Sequence, residues 1–177
     1  MNLTSSIFAT FFVLFFTVYW MLSKKVKIQN AFLLFGSLVF YCWADYRIVF
    51  FITISALINY YLGIKAKEKV GKRRLIVKIG VIYGLLSLGF LKYCNFFIET
   101  IGQSFAQLGI EIELITLHLL VPIGISFYTF KGIGYLLDIN KNKIQPSTDF
   151  VVFFNYMAFF PTVLSGPIDG AKKFLPQ

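Results

Sequence analysis

The sequence predicts an all-α, polytopic membrane protein, and three observations lead to that fold class. Hydrophobic residues make up 58% of the chain and charged residues only 14%, whereas soluble domains are nearer half apolar and a quarter charged. The mean hydropathy is +0.74. The apolar residues occur in runs bounded by Lys and Arg clusters, a pattern typical of membrane-spanning helices and their loops. We therefore expect five or six membrane-embedded helices in a single membrane domain over residues 1–177.

Six apolar runs are candidates for these helices, since about 20 residues are needed to cross a bilayer. Basic loops follow the first and third runs, whereas Asp45, Tyr46 and Arg47 form a tight connection after the second. Pro122 and Pro161 are expected to break the last two runs, because proline has no backbone N–H and clashes with the preceding turn. The runs are 6–22, 30–44, 48–64, 75–90, 114–139 and 150–164.

The stretch 96–112, between the fourth and fifth runs, has a different periodicity. Its Phe, Ile and Leu residues recur every three or four positions, and Glu or Gln occupies the other side. This pattern predicts one amphipathic helix that lies on the bilayer surface or over the helix bundle.

The positions of the basic clusters predict the orientation in the membrane. Lys24, Lys25 and Lys27 follow the first run, six Lys and Arg residues lie within 65–74, and further Lys residues follow the fifth run. By the positive-inside rule these loops are cytoplasmic, and the N-terminus of a multi-pass protein of the cell membrane is then outside. The net charge of +9 thus reflects loop topology, so nucleic acid is not an expected partner.

The fifth run combines apolar residues with Pro122, Gly124, Ser126, Tyr128 and Lys131. Proline and glycine interrupt backbone hydrogen bonds that lipid cannot replace, so such a segment belongs where other helices or a cavity satisfy the freed groups. The last three residues are therefore candidates for a site inside a helical membrane protein. For Lys131 two interpretations stay open: a functional group inside the membrane, or a side chain that snorkels to the interface.

This run, LVPIGISFYTFK, resembles the PIGISFYTF signature of the membrane-bound O-acyltransferase family, in the branch that acylates bacterial polysaccharides such as alginate. Four further stretches are similar to motifs of that branch, in the expected order. They are the FY–W–acid pattern within 30–45, NYYLG at 59–63, GFLKYCNFF at 89–97, and FFPTVLSGPIDGAKKFLPQ at 159–177.

The resemblance implies that the chain is the N-terminal portion of an enzyme that transfers an acetyl or other acyl group to polysaccharide hydroxyls. In the family a catalytic His lies well beyond the GPI motif, so no catalytic residue is expected in this chain, and transfer is expected to depend on sequence beyond Gln177. His118 is expected to be a hydrogen-bonded interfacial residue. The family's helices surround a tunnel, so the resemblance makes Ser126, Tyr128 and Lys131 candidates for lining a substrate tunnel. The family often has Gln where this chain has Lys131.

Further residues of the motifs are interpreted as structural. Asp138 matches the acid of a YxxDxxR stretch, and a brace between Asp138 and Lys141 is expected from their i, i+3 spacing. Gly166 and Pro167 resemble the turn that re-enters the protein in this family. The family's Arg after GPI is missing here, and Lys172 or Lys173 is the expected source of that charge. Pro122 and Gly124 are expected to be structural in the same way.

The resemblance also implies the ligands. The acyl donor would be a cytoplasmic thioester, acetyl-CoA or an acyl carrier protein, with no bound cofactor and no metal, since Cys42 and Cys94 lack metal-site spacing. The expected partners are membrane lipid, that donor, and a periplasmic or extracellular polysaccharide-modifying protein. Two other function classes stay open: a non-catalytic membrane scaffold, or a transport or flipping subunit of a polysaccharide export system, which inverted repeats would favour.

Overall fold

The computed structural model describes residues 6–22, 25–107, 124–165 and 170–175, and all regular secondary structure in these ranges is helical. The all-α prediction is confirmed. The helices are α1 (Ser6–Met21), α2 (Val26–Ala44), α3 (Tyr46–Glu68), α4 (Arg73–Gln107), α5 (Ile125–Asn140), α6 (Phe150–Ala158), α7 (Phe160–Ser165) and α8 (Ala171–Phe174), with a 3₁₀ turn at Val70–Lys72 before α4.

Within these ranges, three segments are long and apolar enough to cross a membrane: Val26–Ala44, Tyr46–Glu68 and Val70–Tyr93. Thr10–Met21 and Phe150–Thr162 are shorter apolar segments. Many large apolar side chains on the outside of α1 to α4 are exposed, which suits a surface that faces lipid rather than water. The chain is therefore an all-α membrane protein.

The connection between α2 and α3 is a single residue, Asp45, in an extended conformation with φ −167° and ψ 121°. Its carboxylate accepts a hydrogen bond of 2.8 Å from the backbone N–H of Arg47, so it caps the start of α3. Its own N–H donates to the carbonyl of Tyr41 at 2.8 Å, the last turn of α2. The tight connection predicted from the sequence is thus closed from both sides.

Helix α4 differs from the sequence-based expectation. It is one helix of 35 residues, about 52 Å long at 1.5 Å per residue, whereas the hydrocarbon core is about 30 Å thick. The predicted boundary before the amphipathic stretch 96–112 is wrong, because as far as Gln107 that stretch continues α4 (residues 108–112 lie outside the described ranges). No proline interrupts the chain between the two predicted segments, so the backbone hydrogen bonds continue.

Glycines allow α5 to pack closely on α3 and α4. A Cβ added to Gly63 would lie 2.7 Å from the Tyr135 ring, and one added to Gly132 would lie 2.7 Å from the Asn59 amide. Small residues at such crossings let helix backbones approach, as they commonly do in membrane proteins. The facing glycines of α4 are Gly80, beside Leu136, and Gly84, beside Ile133.

The sixth apolar run is divided into α6 and α7, as Pro161 predicted. The division falls at Phe159, whose φ and ψ are −58° and 103°. Phe160, the first residue of α7, is 1% exposed and its ring packs between α1 and α2. Its ring centroid is 5.1 Å from that of Phe40 and 5.7 Å from that of Phe15. The break therefore supplies the residue that joins α1 and α2 to the later helices.

Gly124 is the N-cap of α5 and has a φ of 78°, in the left-handed region that favours glycine. An alanine there is expected to lower the free energy of unfolding by about 1–2 kcal/mol. Gly134, in the same helix, has no positive φ and open space around its Cβ position. Gly134→Ala is expected to leave stability unchanged or raise it by up to about 1 kcal/mol. Thermal unfolding of the purified variants in detergent tests this contrast, and equal melting temperatures for the two would contradict it.

Candidate functional site

Lys131 is the polar centre of the helix bundle. Only 1% of the residue is exposed. Its ammonium donates a hydrogen bond of 3.0 Å to the carbonyl of Tyr156 and one of 2.6 Å to Oγ1 of Thr162. The Tyr156 hydroxyl in turn donates to the Lys131 carbonyl at 3.0 Å, and its ring centroid is 5.5 Å from Nζ. The snorkelling interpretation is therefore wrong, because the ammonium lies among packed helices and does not reach the surface of the bundle.

The position of this ammonium follows from the break between α6 and α7. The last carbonyls of a helix lack partners within it and carry partial negative charge, so they favour a cation. Tyr156 lies in the last turn of α6, and Thr162 lies on α7. Lys131 thus bridges both sides of the break from α5, and the end of α6 provides the carbonyl that the lysine uses.

Tyr128 precedes Lys131 by three residues and is also buried, at 3% exposure. In the described part of the chain its hydroxyl has no hydrogen-bond partner. Tyr128 lines a cavity of about 260 Å³ between α3, α4 and α5, together with the hydroxyl-bearing Ser55, Tyr83 and Ser87. Ser126 is half-buried in the first turn of α5. Of the three tunnel candidates, the structure brings Tyr128 and Lys131 into the interior and leaves Ser126 at its edge.

Ser37 and Tyr41 of α2 are interior polar residues that the sequence analysis did not select. Both are fully buried, and within the described ranges neither Ser37 Oγ nor the Tyr41 hydroxyl has a hydrogen-bond partner. The Tyr41 hydroxyl is an electrostatic neighbour of Tyr128. A buried polar atom without a partner costs about 1–3 kcal/mol, so such atoms are functional candidates. Their i, i+4 spacing in an apolar run was the available signal.

A second cavity, of about 560 Å³, lies between the α5–α6 loop and α8. Its lining includes Lys143 and Lys172, one of the two lysines expected to replace the family's Arg, together with polar residues of the loop. The Arg73 guanidinium donates to the side-chain oxygen of Asn142, and the Tyr60 hydroxyl donates to the Thr148 carbonyl at 2.8 Å. These contacts place the loop at the same end of the bundle as the basic connection before α4.

The remaining site residues have different outcomes. Asp138 is half-buried on α5, but the predicted brace to Lys141 is not formed, since the one ion pair in the described part of the chain joins Lys65 to Glu68 at 2.8 Å. Lys141 is the exposed C-cap of α5, and an ion pair at such a solvent-exposed position contributes little to stability. Four further predicted residues lie outside the described ranges. They are Pro122, Gly166, Pro167 and His118.

Substitution of Lys131 tests its bridging role. Lys131→Leu leaves the Tyr156 carbonyl and the Thr162 hydroxyl without this donor, and we expect it to lower stability by about 1–3 kcal/mol. Lys131→Gln keeps a hydrogen-bond donor on a side chain of similar length and should lower stability less. The measurement is thermal unfolding in detergent, with Lys67→Leu, at an exposed position of α3, as the matched control. Lys131→Leu as stable as Lys67→Leu would show that the bridge is dispensable.

Comparison with known proteins gives the family. The chain is 30% identical over 184 aligned residues to the probable alginate O-acetylase AlgI of Pseudomonas aeruginosa, covering 100% of this chain and 34% of that protein. The corresponding protein of Pseudomonas syringae is 33% identical, covering 95% of this chain and 33% of its own length. The peptidoglycan O-acetyltransferase of Helicobacter pylori is 26% identical, and the alignment covers 88% of this chain and 33% of that protein.

The chain thus spans about a third of the length of the curated relatives that it matches. No family model matches the sequence, and no solved structure is similar to it. The similarity to several alginate O-acetylases nevertheless extends over nearly the whole chain and agrees with the motifs in α2, α3 and α5. The chain belongs to the membrane-bound O-acyltransferase family, in the branch of the alginate O-acetylases, and corresponds to the N-terminal portion of its members.

Proposed function

We propose that this chain is part of an O-acyltransferase that transfers an acetyl or other acyl group to hydroxyls of a cell-envelope polysaccharide. One observation carries this proposal: the similarity over all of the chain to proteins named as alginate O-acetylases. The likeness to a peptidoglycan O-acetyltransferase supports the broader acceptor class, a polysaccharide of the cell envelope.

The cavity lined by Lys143 and Lys172 is the proposed entry for the acyl donor. Acetyl-CoA and an acyl carrier protein both present the acyl group as a thioester at the end of a phosphopantetheine arm. Ammonium groups bind phosphate as point charges. Both lysines and the polar residues of the α5–α6 loop suit the phosphate end of that arm, and the cavity lies at the basic end of the bundle.

Transfer requires an attack by the acceptor hydroxyl oxygen on the thioester carbonyl carbon. The new C–O bond forms as the C–S bond breaks, a base takes the hydroxyl proton, and the leaving thiolate is protonated. We assign neither base nor acid to the described residues. Their role is to line and shape the passage: Tyr128 offers a buried hydroxyl at the cavity between α3, α4 and α5, Ser126 is half-buried in the first turn of α5, and Lys131 holds the α6–α7 break in place. The surrounding apolar helices keep water from the thioester.

The proposed orientation has the N-terminus outside and the basic end of the bundle in the cytoplasm. Lys141 and Lys143 are attached through Asn142 to Arg73, beside the basic residues that end α3. A single concentration of Lys and Arg at one membrane face is what the positive-inside rule requires. This orientation also brings the proposed donor cavity to the compartment that contains acyl thioesters.

The orientation can be tested with topology reporters. Fusions after Leu22, Lys72 and Lys143 should report a cytoplasmic location, because these sites lie at the basic end. A fusion after Gln107, at the far end of the 35-residue α4, should report an external location. Alkaline phosphatase and a cytoplasm-active reporter at the same sites provide reciprocal readouts. A cytoplasmic signal at Gln107 would mean that α4 does not cross the membrane.

The reaction can be tested in the source bacterium. Disruption of the gene should lower the base-labile acetate of the envelope polysaccharide, since such acetate comes from O-linked esters, and should leave N-acetyl groups unchanged. Complementation with the native gene should restore the esters. Complementation with the double variant Lys143→Gln, Lys172→Gln should restore several-fold fewer esters, because the acyl donor loses both ammonium contacts.

The matched control is the pair Lys67→Gln and Lys69→Gln, which removes the same charge from exposed positions at the same end. Full restoration by the control and poor restoration by the cavity pair supports the donor site. Unchanged esters after disruption, with less polysaccharide exported, would instead favour the scaffold or flipping function.

A further inference from the structure

A third cavity, of about 390 Å³, lies between α1, the start of α2 and the α6–α7 break. Aromatic side chains form much of its wall, among them Phe12, Phe15, Phe16, Phe159 and Phe160. Its volume is in the range of ligand-binding pockets. Phe12 and Phe16 are 40% and 50% exposed on α1, so in this chain the cavity opens toward the lipid-facing surface. A ligand that enters here comes from the bilayer.

One end of the cavity is polar. Asn155 of α6 is 2% exposed, and its Nδ2 donates a hydrogen bond of 2.8 Å to the Asn30 carbonyl. Within the described residues its Oδ1 has no hydrogen-bond partner. Buried carbonyl oxygens are almost always hydrogen-bonded. The wall of an otherwise apolar cavity thus holds a buried acceptor that suits a ligand carrying a hydrogen-bond donor.

The same end is positively charged. Lys25 and Lys27 are exposed on either side of Val26, which lines the cavity. Lys25 is the N-cap of α2, it makes no side-chain cap, and the first turn contains no acidic residue. The N-terminus of the 19-residue α2 adds a partial positive charge. Asn30 follows Lys27 by three residues, about 4.5 Å along the helix axis, so the charge and the Asn155 acceptor lie within one turn.

We propose that this cavity binds an anionic glycerophospholipid with a hydroxyl-bearing headgroup, phosphatidylglycerol. One acyl chain lies among the aromatic rings, the phosphate faces Lys25 and Lys27, and a headgroup hydroxyl donates to Oδ1 of Asn155. Charge complementarity and the opening toward lipid support this occupant. Apart from Val152, where the two cavities meet, this cavity shares no lining residue with the proposed donor cavity, so the lipid site is distinct from the donor site.

Lipid retention by the purified chain tests the proposal. Native mass spectrometry in a neutral detergent would compare 16:0/18:1 phosphatidylglycerol, phosphatidylcholine and phosphatidic acid at equal concentration. Each Lys near an anionic headgroup contributes roughly a factor of five, so phosphatidylglycerol should be retained on the order of tenfold or more above phosphatidylcholine. It should also exceed phosphatidic acid, which has no glycerol headgroup. Equal retention of phosphatidylglycerol and phosphatidylcholine would overturn the site, and phosphatidic acid retained as well as phosphatidylglycerol would overturn the choice of headgroup.

Variants locate the binding. The pair Lys25→Gln and Lys27→Gln should reduce phosphatidylglycerol to the level of phosphatidylcholine. The matched control, Lys67→Gln with Lys69→Gln, removes the same charge at exposed positions at the end of α3 and should leave the preference intact. An equal loss in both pairs would mean that binding follows net charge, and would overturn the site.

Filling the cavity tests the position of the acyl chain. Leu33, on the cavity wall, is half-buried. Leu33→Trp should lower retention of all three lipids, and Leu33→Phe should do so to a smaller extent and serves if the larger side chain prevents folding. Helix content measured by circular dichroism identifies a variant that has unfolded. Unchanged retention by a folded Leu33→Phe and a folded Leu33→Trp would exclude the cavity as the chain-binding site.

Discussion

The hydrogen bonds from the Lys131 ammonium to α6 and α7 are the interaction on which the interior of this structure depends. An ammonium inside a membrane domain is costly unless its donors are satisfied. Here the satisfying oxygens come from the end of one helix and the side chain of the next, 25 and 31 residues further along the chain. The same break directs Phe160 toward α1 and α2. Lys131 thus stabilises the break between α6 and α7, and the same break positions Phe160 against α1 and α2.

Close packing around α5 has a complementary cause. Glycines on α3 and α4 remove the side chains that would separate these helices from α5, while Gly132 leaves room for Asn59. Asn59 satisfies its own amide within α3, by donating to the Ser55 carbonyl at 2.8 Å. The buried Asn59 amide of α3 therefore has a hydrogen-bond partner within its own helix and needs none from α5. In the part of the chain that the structure describes, the buried hydroxyls without a hydrogen-bond partner are instead those of Ser37, Tyr41 and Tyr128, and Tyr128 lines the cavity between α3, α4 and α5.

Periodicity and motifs predicted the helical class, the tight turn at Asp45 and the break at Pro161, since each depends on local chemistry. The continuity of α4 was missed because the stretch 96–112 has a different periodicity from the apolar run before it, although a helix continues through such a change when nothing breaks its backbone. The hydrogen-bond partners of Lys131 and Asn155 could not be predicted from the sequence, for a different reason. Asn155 bonds to Asn30, which is 125 residues away in sequence, and no spacing rule connects positions that only the packed bundle brings together.

The single-residue connection between α2 and α3 limits how this domain can change shape. Asp45 accepts from one helix and donates to the other, so the two helices cannot separate or twist independently without losing a cap. They form a rigid hairpin, and the loop bonded to Arg73 and Tyr60 fixes its far end to α5. Helix α1 contacts the rest of the bundle mainly through phenylalanine rings, with the Phe15 ring stacked on Phe32 and edge-on to Phe160. Gln29 of α2 also donates a hydrogen bond of 3.2 Å to the Tyr19 carbonyl of α1. Separation of α1 from the hairpin would therefore remove dispersion contacts and this hydrogen bond but no helix cap, whereas separation of α2 from α3 would remove both hydrogen bonds of Asp45.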